Sequence, residues 1–147
     1  MELSNKEIDE AGIELGSNSA ETINVLVIDD NDAFRALITE LLTPLGFQVK
    51  TVANPVKALE LFTREKDSFH LVLLDYYMPL LDGTKTLEWL RKLSPQVKVI
   101  LCSGAEELRL RQLQAQCGID AYIHKPFRVD DAVAVIRRVM GQGAVTA

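Results

Sequence analysis

The chain has 147 residues, 48% of them hydrophobic, with 16 basic residues against 21 acidic ones and a net charge of −5. That length supports one domain with a proper core, and the composition excludes global disorder. No apolar run approaches the roughly 18 residues of a membrane span, so no membrane insertion is expected. The start, Met1-Glu2-Leu3-Ser4-Asn5-Lys6, lacks a basic region followed by an apolar one. Two cysteines, Cys102 and Cys117, do not make a disulfide framework, so a reducing, cytoplasmic setting is expected.

Residues 1–22 hold six acids (Glu2, Glu7, Asp9, Glu10, Glu14, Glu21) and one base, Lys6, which leaves the remainder balanced. Without a basic surplus, direct nucleic-acid binding is not expected. This segment reads as an acidic N-terminal extension and a mobile tail. The alternative is a helix capped by Ser4 and Glu7, with Ile8, Ala11 and Leu15 as a thin stripe that Gly12 and Gly16 weaken.

From Ile23 strands and helices alternate through residues 23–140. Ile23–Ile28 has strand length. Asp32 is placed to cap a helix carrying Phe34, Leu37, Ile38, Leu41, Leu42 and Leu45, and Gly46 stops it. Phe47–Val52 reads as a second strand. Asn54-Pro55 is a cap followed by proline at the first helical position, and Val56, Leu59 and Phe62 give that helix its stripe. Phe69–Leu74 is apolar without alternation, the mark of a strand buried on both faces. Asp82-Gly83 turns into a helix with Leu87, Leu90 and Leu93, ended by Ser94-Pro95. Val97–Cys102 reads as a strand. A more polar helix spans 105–116, with Leu108 and Leu110 to Leu113 as its apolar side, and Gly118 ends it. Ala121–His124 is a short fifth strand. Val129–Met140 is a final helix with Val133, Ile136, Val139 and Met140 inward, and residues 141–147 form a tail. The fold class is therefore α/β: a doubly wound, flavodoxin-like (βα)5 domain with strand order 2-1-3-4-5.

Asp29-Asp30, Asp75, Ser103 and Lys125 follow the apolar runs of strands 1, 3, 4 and 5, the edge where open parallel sheets bind ligands. Singly they read as a helix cap, a strand-end acid, a turn and a solvated lysine. Together they suit a hard divalent cation and a phosphoryl group. Magnesium takes one or two carboxylates plus water and phosphate oxygens, and manganese is a possible substitute. Asp30 and Asp75 suit direct ligation, and Asp29 suits contact through water. Asp75 is best placed as a nucleophile on phosphorus, with Lys125 and Ser103 for the phosphoryl oxygens. Gly104 leaves room beside them.

Val-Leu-Val-Ile-Asp29-Asp30, Leu-Val-Leu-Leu-Asp75-Tyr-Tyr-Met-Pro79, Asp82-Gly83, Val-Ile-Leu-Cys-Ser103-Gly104 and Ala-Tyr122-Ile-His-Lys125-Pro126-Phe127 resemble the receiver domain of bacterial two-component response regulators, including the chemotaxis type. The resemblance covers residues 23–140. It implies that Asp75 accepts a phosphoryl group from a phosphohistidine on a sensor histidine kinase or phosphotransfer protein. It implies magnesium on Asp29, Asp30, Asp75 and the backbone carbonyl of Tyr77, and a cis Lys125-Pro126 bond. Ser103 and Tyr122 become the switch pair, reporting phosphorylation to a downstream protein target. A phosphorylation-dependent homodimer is a further possibility.

Leu81 stands where methionine is frequent in the family, Tyr77 is bulky, and Ala105 offers no side chain to position water, so slow phosphate loss is expected. His70 and His124 are assigned structural roles, Cys102 a buried one, and Trp89 partial burial in packing. The chain is expected to be a stand-alone phosphoacceptor, not an enzyme beyond its own phosphorylation and dephosphorylation. The alternatives are a piece of a hybrid kinase or phosphorelay intermediate, and a metal-dependent phosphohydrolase. The last usually needs an acid two residues past the nucleophile, where this chain has Tyr77.

Overall fold

The computed structural model describes residues 7–8, 14–15, 22–65, 68–76 and 83–141. Five parallel strands form its sheet: β1 (Asn24–Ile28), β2 (Gln48–Val52), β3 (Leu71–Leu74), β4 (Lys98–Ser103) and β5 (Ala121–His124). Their order is β2-β1-β3-β4-β5, the predicted one. Five helices alternate with them: α1 (Asp32–Leu42), α2 (Pro55–Glu65), α3 (Gly83–Leu93), α4 (Glu107–Cys117) and α5 (Val129–Val139).

The sheet divides the core in two. Leu26, Ile28, Val72, Leu74, Val99 and Leu101 pack on the face covered by α2, α3 and α4, around Phe62, Leu90 and Leu110. Val25, Val27, Leu71, Leu73, Ile100 and Cys102 pack on the other, against Ile38 and Leu42 of α1 and Ile136 of α5. Every residue of β3 is buried, so its unbroken apolar run reflects cover on both sides.

Local chemistry sets the helix ends. Asn31, not Asp32, caps α1: its side chain accepts the Phe34 N–H at 2.8 Å. The cap must precede the first helical residue to reach that amide, and Asp32 is already inside the helix. α1 stops earlier than expected, because Thr43–Leu45 with Pro44 tightens into a 3-10 turn that Gly46 closes at φ 99°. Asn54 caps α2 by accepting the Lys57 N–H at 2.9 Å.

Several assignments on helix faces are corrected. Leu37, Leu45 and Val56 are exposed, and Leu108 is 65% exposed, because α4 turns only Leu110 and Leu113 into the core. Trp89 is 51% exposed, more than a packing role requires. Near the N-terminus, Glu7–Ile8 pairs antiparallel with Glu14–Leu15, so the helical alternative from Ser4 does not form at these residues. A short stripe interrupted by Gly12 gives a helix little to offset nucleation. The rest of the N-terminal extension lies outside the described residues.

Candidate functional site

Strand register assembles the site. Ile28 pairs with Leu74, and Leu74 with Leu101. Asp29 and Asp75, the next residues, therefore emerge side by side, with Asp75 N–H donating to Ile28 O at 3.0 Å. Ser103 pairs with His124, which brings Lys125 one step beyond, and Lys125 N–H donates to Ser103 O at 2.8 Å. Carrying the strand alternation forward places Asp29, Asp75 and Lys125 toward the α1/α5 face, and Ser103 and Tyr122 toward the α4 face.

One carboxylate oxygen from each of Asp29, Asp30 and Asp75 lies within 4.8 Å of the others, with Asp29 and Asp75 buried and Asp30 exposed. Asp29 is 1% exposed. Its Oδ2 accepts from Lys125 Nζ at 2.7 Å and its Oδ1 from Asn31 N–H at 2.9 Å. Both oxygens of Asp29 are thus already engaged. The Arg35 guanidinium donates to Asp29 O at 2.7 Å and also pairs with Asp32. An all-oxygen set of three converging carboxylates fits a hard divalent cation such as magnesium.

Ser103 is fully buried, and its Oγ accepts the Ala105 N–H at 3.2 Å. A Cβ placed on Gly104 would meet no atom within 4 Å, so the space beside Ser103 is open among the described residues. The Lys125-Pro126 bond is cis, as expected. Tyr122 is half-buried, and its hydroxyl donates to Glu107 Oε2 at 3.3 Å. Arg111 also pairs with Glu107, and contact with Tyr122 pushes the Arg111 guanidinium up from its ordinary value. Tyr77, Pro79, Leu81 and Asp82 lie outside the described residues.

Burial pushes the Cys102 thiol up to about 12; Lys125 pulls the other way, and Asp29 and Asp75 add to the rise. His70 has the structural role assigned to it: its Nδ1 accepts the Asn24 N–H at 2.9 Å.

Further contacts at this edge were not foreseen from the sequence. Phe34, read as part of the α1 stripe, places its ring 3.9 Å from Lys125 Nζ. Arg109 of α4 donates to the Tyr76 hydroxyl at 3.1 Å, joining that helix to the residue after Asp75. Phe34 lies one helical turn past Asp30, and that proximity was the available signal. Nothing in the sequence singled out Arg109.

The family model for the response regulator receiver domain matches residues 25–137, and the chain belongs to that family. It is 37% identical over 116 residues to the probable transcriptional regulator ycf27 of Porphyra purpurea, covering 79% of this chain and 46% of that protein. The chain therefore spans about half the length of that relative. A response regulator receiver domain protein from Clostridium thermocellum is similar in structure, with a TM-score of 0.74 and 28% identity, over 85% of this chain and 99% of that one. The receiver domain of sensor histidine kinase PA1611 from Pseudomonas aeruginosa PAO1 shares the fold, with a TM-score of 0.70 and 24% identity, over 82% and 99%. That structure holds a magnesium ion coordinated in its active-site cleft. Among the described residues, no helix is long and apolar enough to cross a membrane.

Proposed function

We propose that Asp75 is the phosphoacceptor, charged from a phosphohistidine on a sensor histidine kinase or phosphotransfer protein. The observation that carries this reading is the convergence of the Asp29, Asp30 and Asp75 carboxylates within 4.8 Å, beside an ammonium 2.7 Å from Asp29. An Asp75 carboxylate oxygen forms the new bond to phosphorus as the bond from phosphorus to the donor imidazole nitrogen breaks. The electron pair stays on that nitrogen. Lys125 can leave Asp29 to meet one phosphoryl oxygen, and the Ser103 hydroxyl can donate to another. Asp30 and Asp75 would hold magnesium directly, Asp29 through water, and the Tyr77 carbonyl would complete the protein ligands. Bound magnesium supplies positive charge that offsets both the carboxylate cluster and the transferring group.

On this reading the chain is a stoichiometric acceptor rather than a turnover enzyme. Drawing the Ser103 hydroxyl toward the phosphoryl group opens space on the α4 side of β4, and Tyr122 leaves Glu107 to fill it. The surface made by α4, β5 and α5 then shifts between populations and changes its affinity for a downstream protein.

Incubation with acetyl phosphate and magnesium tests the core of this reading. The wild type should gain the mass of one phosphoryl group, and Asp75→Ala should gain none. Failure of the wild type to react, or equal labelling of the variant, overturns it.

A further inference from the structure

Among the described residues, the Lys125 ammonium meets a carboxylate and the face of an aromatic ring. Nζ lies 2.7 Å from Asp29 Oδ2 and 3.9 Å from the centroid of the Phe34 ring. The second distance is well inside the roughly 6 Å at which a ring face attracts a cation. Phe34 is itself fixed from two sides. Its backbone N–H is held by the Asn31 cap at 2.8 Å, and its ring meets the Phe127 ring edge-on, with centroids 5.9 Å apart and planes at 85°. Phe127 follows Lys125 by two residues, so the loop that carries the lysine also braces the ring beneath it. Both aromatics are partly buried against the core of the α1/α5 face.

A lysine side chain is a flexible stem with a strongly hydrated charge, and holding it in one place costs rotamer freedom. Phe34 and Asp29 together restrict it before any phosphoryl group arrives.

We propose that Phe34 is a positioning residue for Lys125: its ring face holds the ammonium in the cleft lined by Asp29 and Asp75, pre-set to receive a phosphoryl oxygen. The inference rests on the phosphoacceptor reading of Asp75 for its consequence, but the seating of the ammonium is independent of it. The ring stays beneath the charge as Lys125 shifts from Asp29 toward phosphate, so its attraction need not be given up in that move. Preorganised charge of this kind lowers the reorganisation required when negative charge arrives.

The test separates the two readings. First, in the unphosphorylated protein without magnesium, the Lys125 side-chain protons nearest Nζ should show an upfield ring-current shift by NMR. Phe34→Leu should abolish that shift, and Phe34→Tyr should keep it. A wild type lacking the shift overturns the seating. Second, the rate of labelling by acetyl phosphate with magnesium should fall about two- to tenfold in Phe34→Leu and recover in Phe34→Tyr. Site-specific replacement of Phe34 by mono-, di- and trifluorophenylalanine keeps the shape while draining the ring face. The rate should fall stepwise along that series. A flat series in a protein whose wild type is labelled overturns the positioning role and leaves the acceptor reading intact. A wild type that is never labelled overturns the acceptor reading, and the NMR arm still decides the seating. Thermal melts of each variant separate local loss from unfolding, and the isosteric fluorinated series keeps the test valid where Phe34→Leu is poorly folded.

Discussion

Cys102 illustrates how a residue beside a charged site can remain chemically silent. It lies on the same side of the sheet as Asp29, Asp75 and Lys125, yet burial dominates and pushes its thiol up to about 12 from the ordinary 9.0. The thiolate is the reactive form, so burial and protonation both protect it. Iodoacetamide at pH 8 should label partly buried Cys117 and spare Cys102 until the chain is unfolded, as peptide mass mapping would report. The same shift has a stability consequence. Between about 9 and about 12 the folded state keeps a proton that the unfolded state releases, so stability falls as pH climbs through that window and is unaffected below it. The urea midpoint of the wild type should therefore decline more steeply than that of Cys102→Ala as pH rises above 9. Equal slopes would show that the thiol does not contribute.

The opposite end of the sheet is stapled by one arginine of α3. Arg91 donates to Val97 O, to Gly118 O at 3.0 Å and to Asp120 Oδ2 at 3.2 Å. Asp120 in turn accepts the Val99 N–H at 2.8 Å, and its backbone carbonyl accepts from Gln114 Nε2 at 3.2 Å. The network joins α3, the start of β4, α4 and the turn into β5. Arg91→Ala should cost about 2 kcal/mol, because it leaves the Val97 and Gly118 carbonyls without this donor and removes one of the partners of the Asp120 carboxylate. Urea unfolding should show a lower midpoint with an unchanged slope. Arg91→Lys should recover less than half of the loss, since a single ammonium cannot replace the guanidinium fork. α4 also shows where sequence patterning ran out. Its heavily polar composition gave no single apolar phase, so Leu108 could be assigned to the core although the helix turns it to solvent, and Glu107 and Arg109 carried no mark of their contacts with Tyr122 and Tyr76.

Taken together, the sheet order and the acidic edge were legible because burial on both faces leaves parallel strands as unbroken apolar runs, and polar residues can enter only where those runs end. Asp29, Asp75, Ser103 and Lys125 stand at such ends. What was not legible depended on side-chain reach: whether Asn31 or Asp32 caps α1, and that Phe34 serves the site as well as the core. A cation held at the acidic edge would also couple stability to its concentration. Magnesium at about 100 times its dissociation constant should add about 2.7 kcal/mol to the folded state. A rise in melting temperature with magnesium, reduced in Asp30→Ala, would bear this out, and an equal rise in the variant would count against the site. One contact described above carries a further meaning. The Lys125 N–H···O Ser103 bond ties the two residues proposed to meet the phosphoryl oxygens into one piece of backbone beside Tyr122. Under the proposed reading, a protein gripping Tyr122 from outside acts on the same piece that grips the phosphate from within. Linkage then runs both ways: the factor by which phosphate tightens that partner is the factor by which the partner stabilises the aspartyl phosphate against hydrolysis at equilibrium. The listener, in that sense, helps to hold the message.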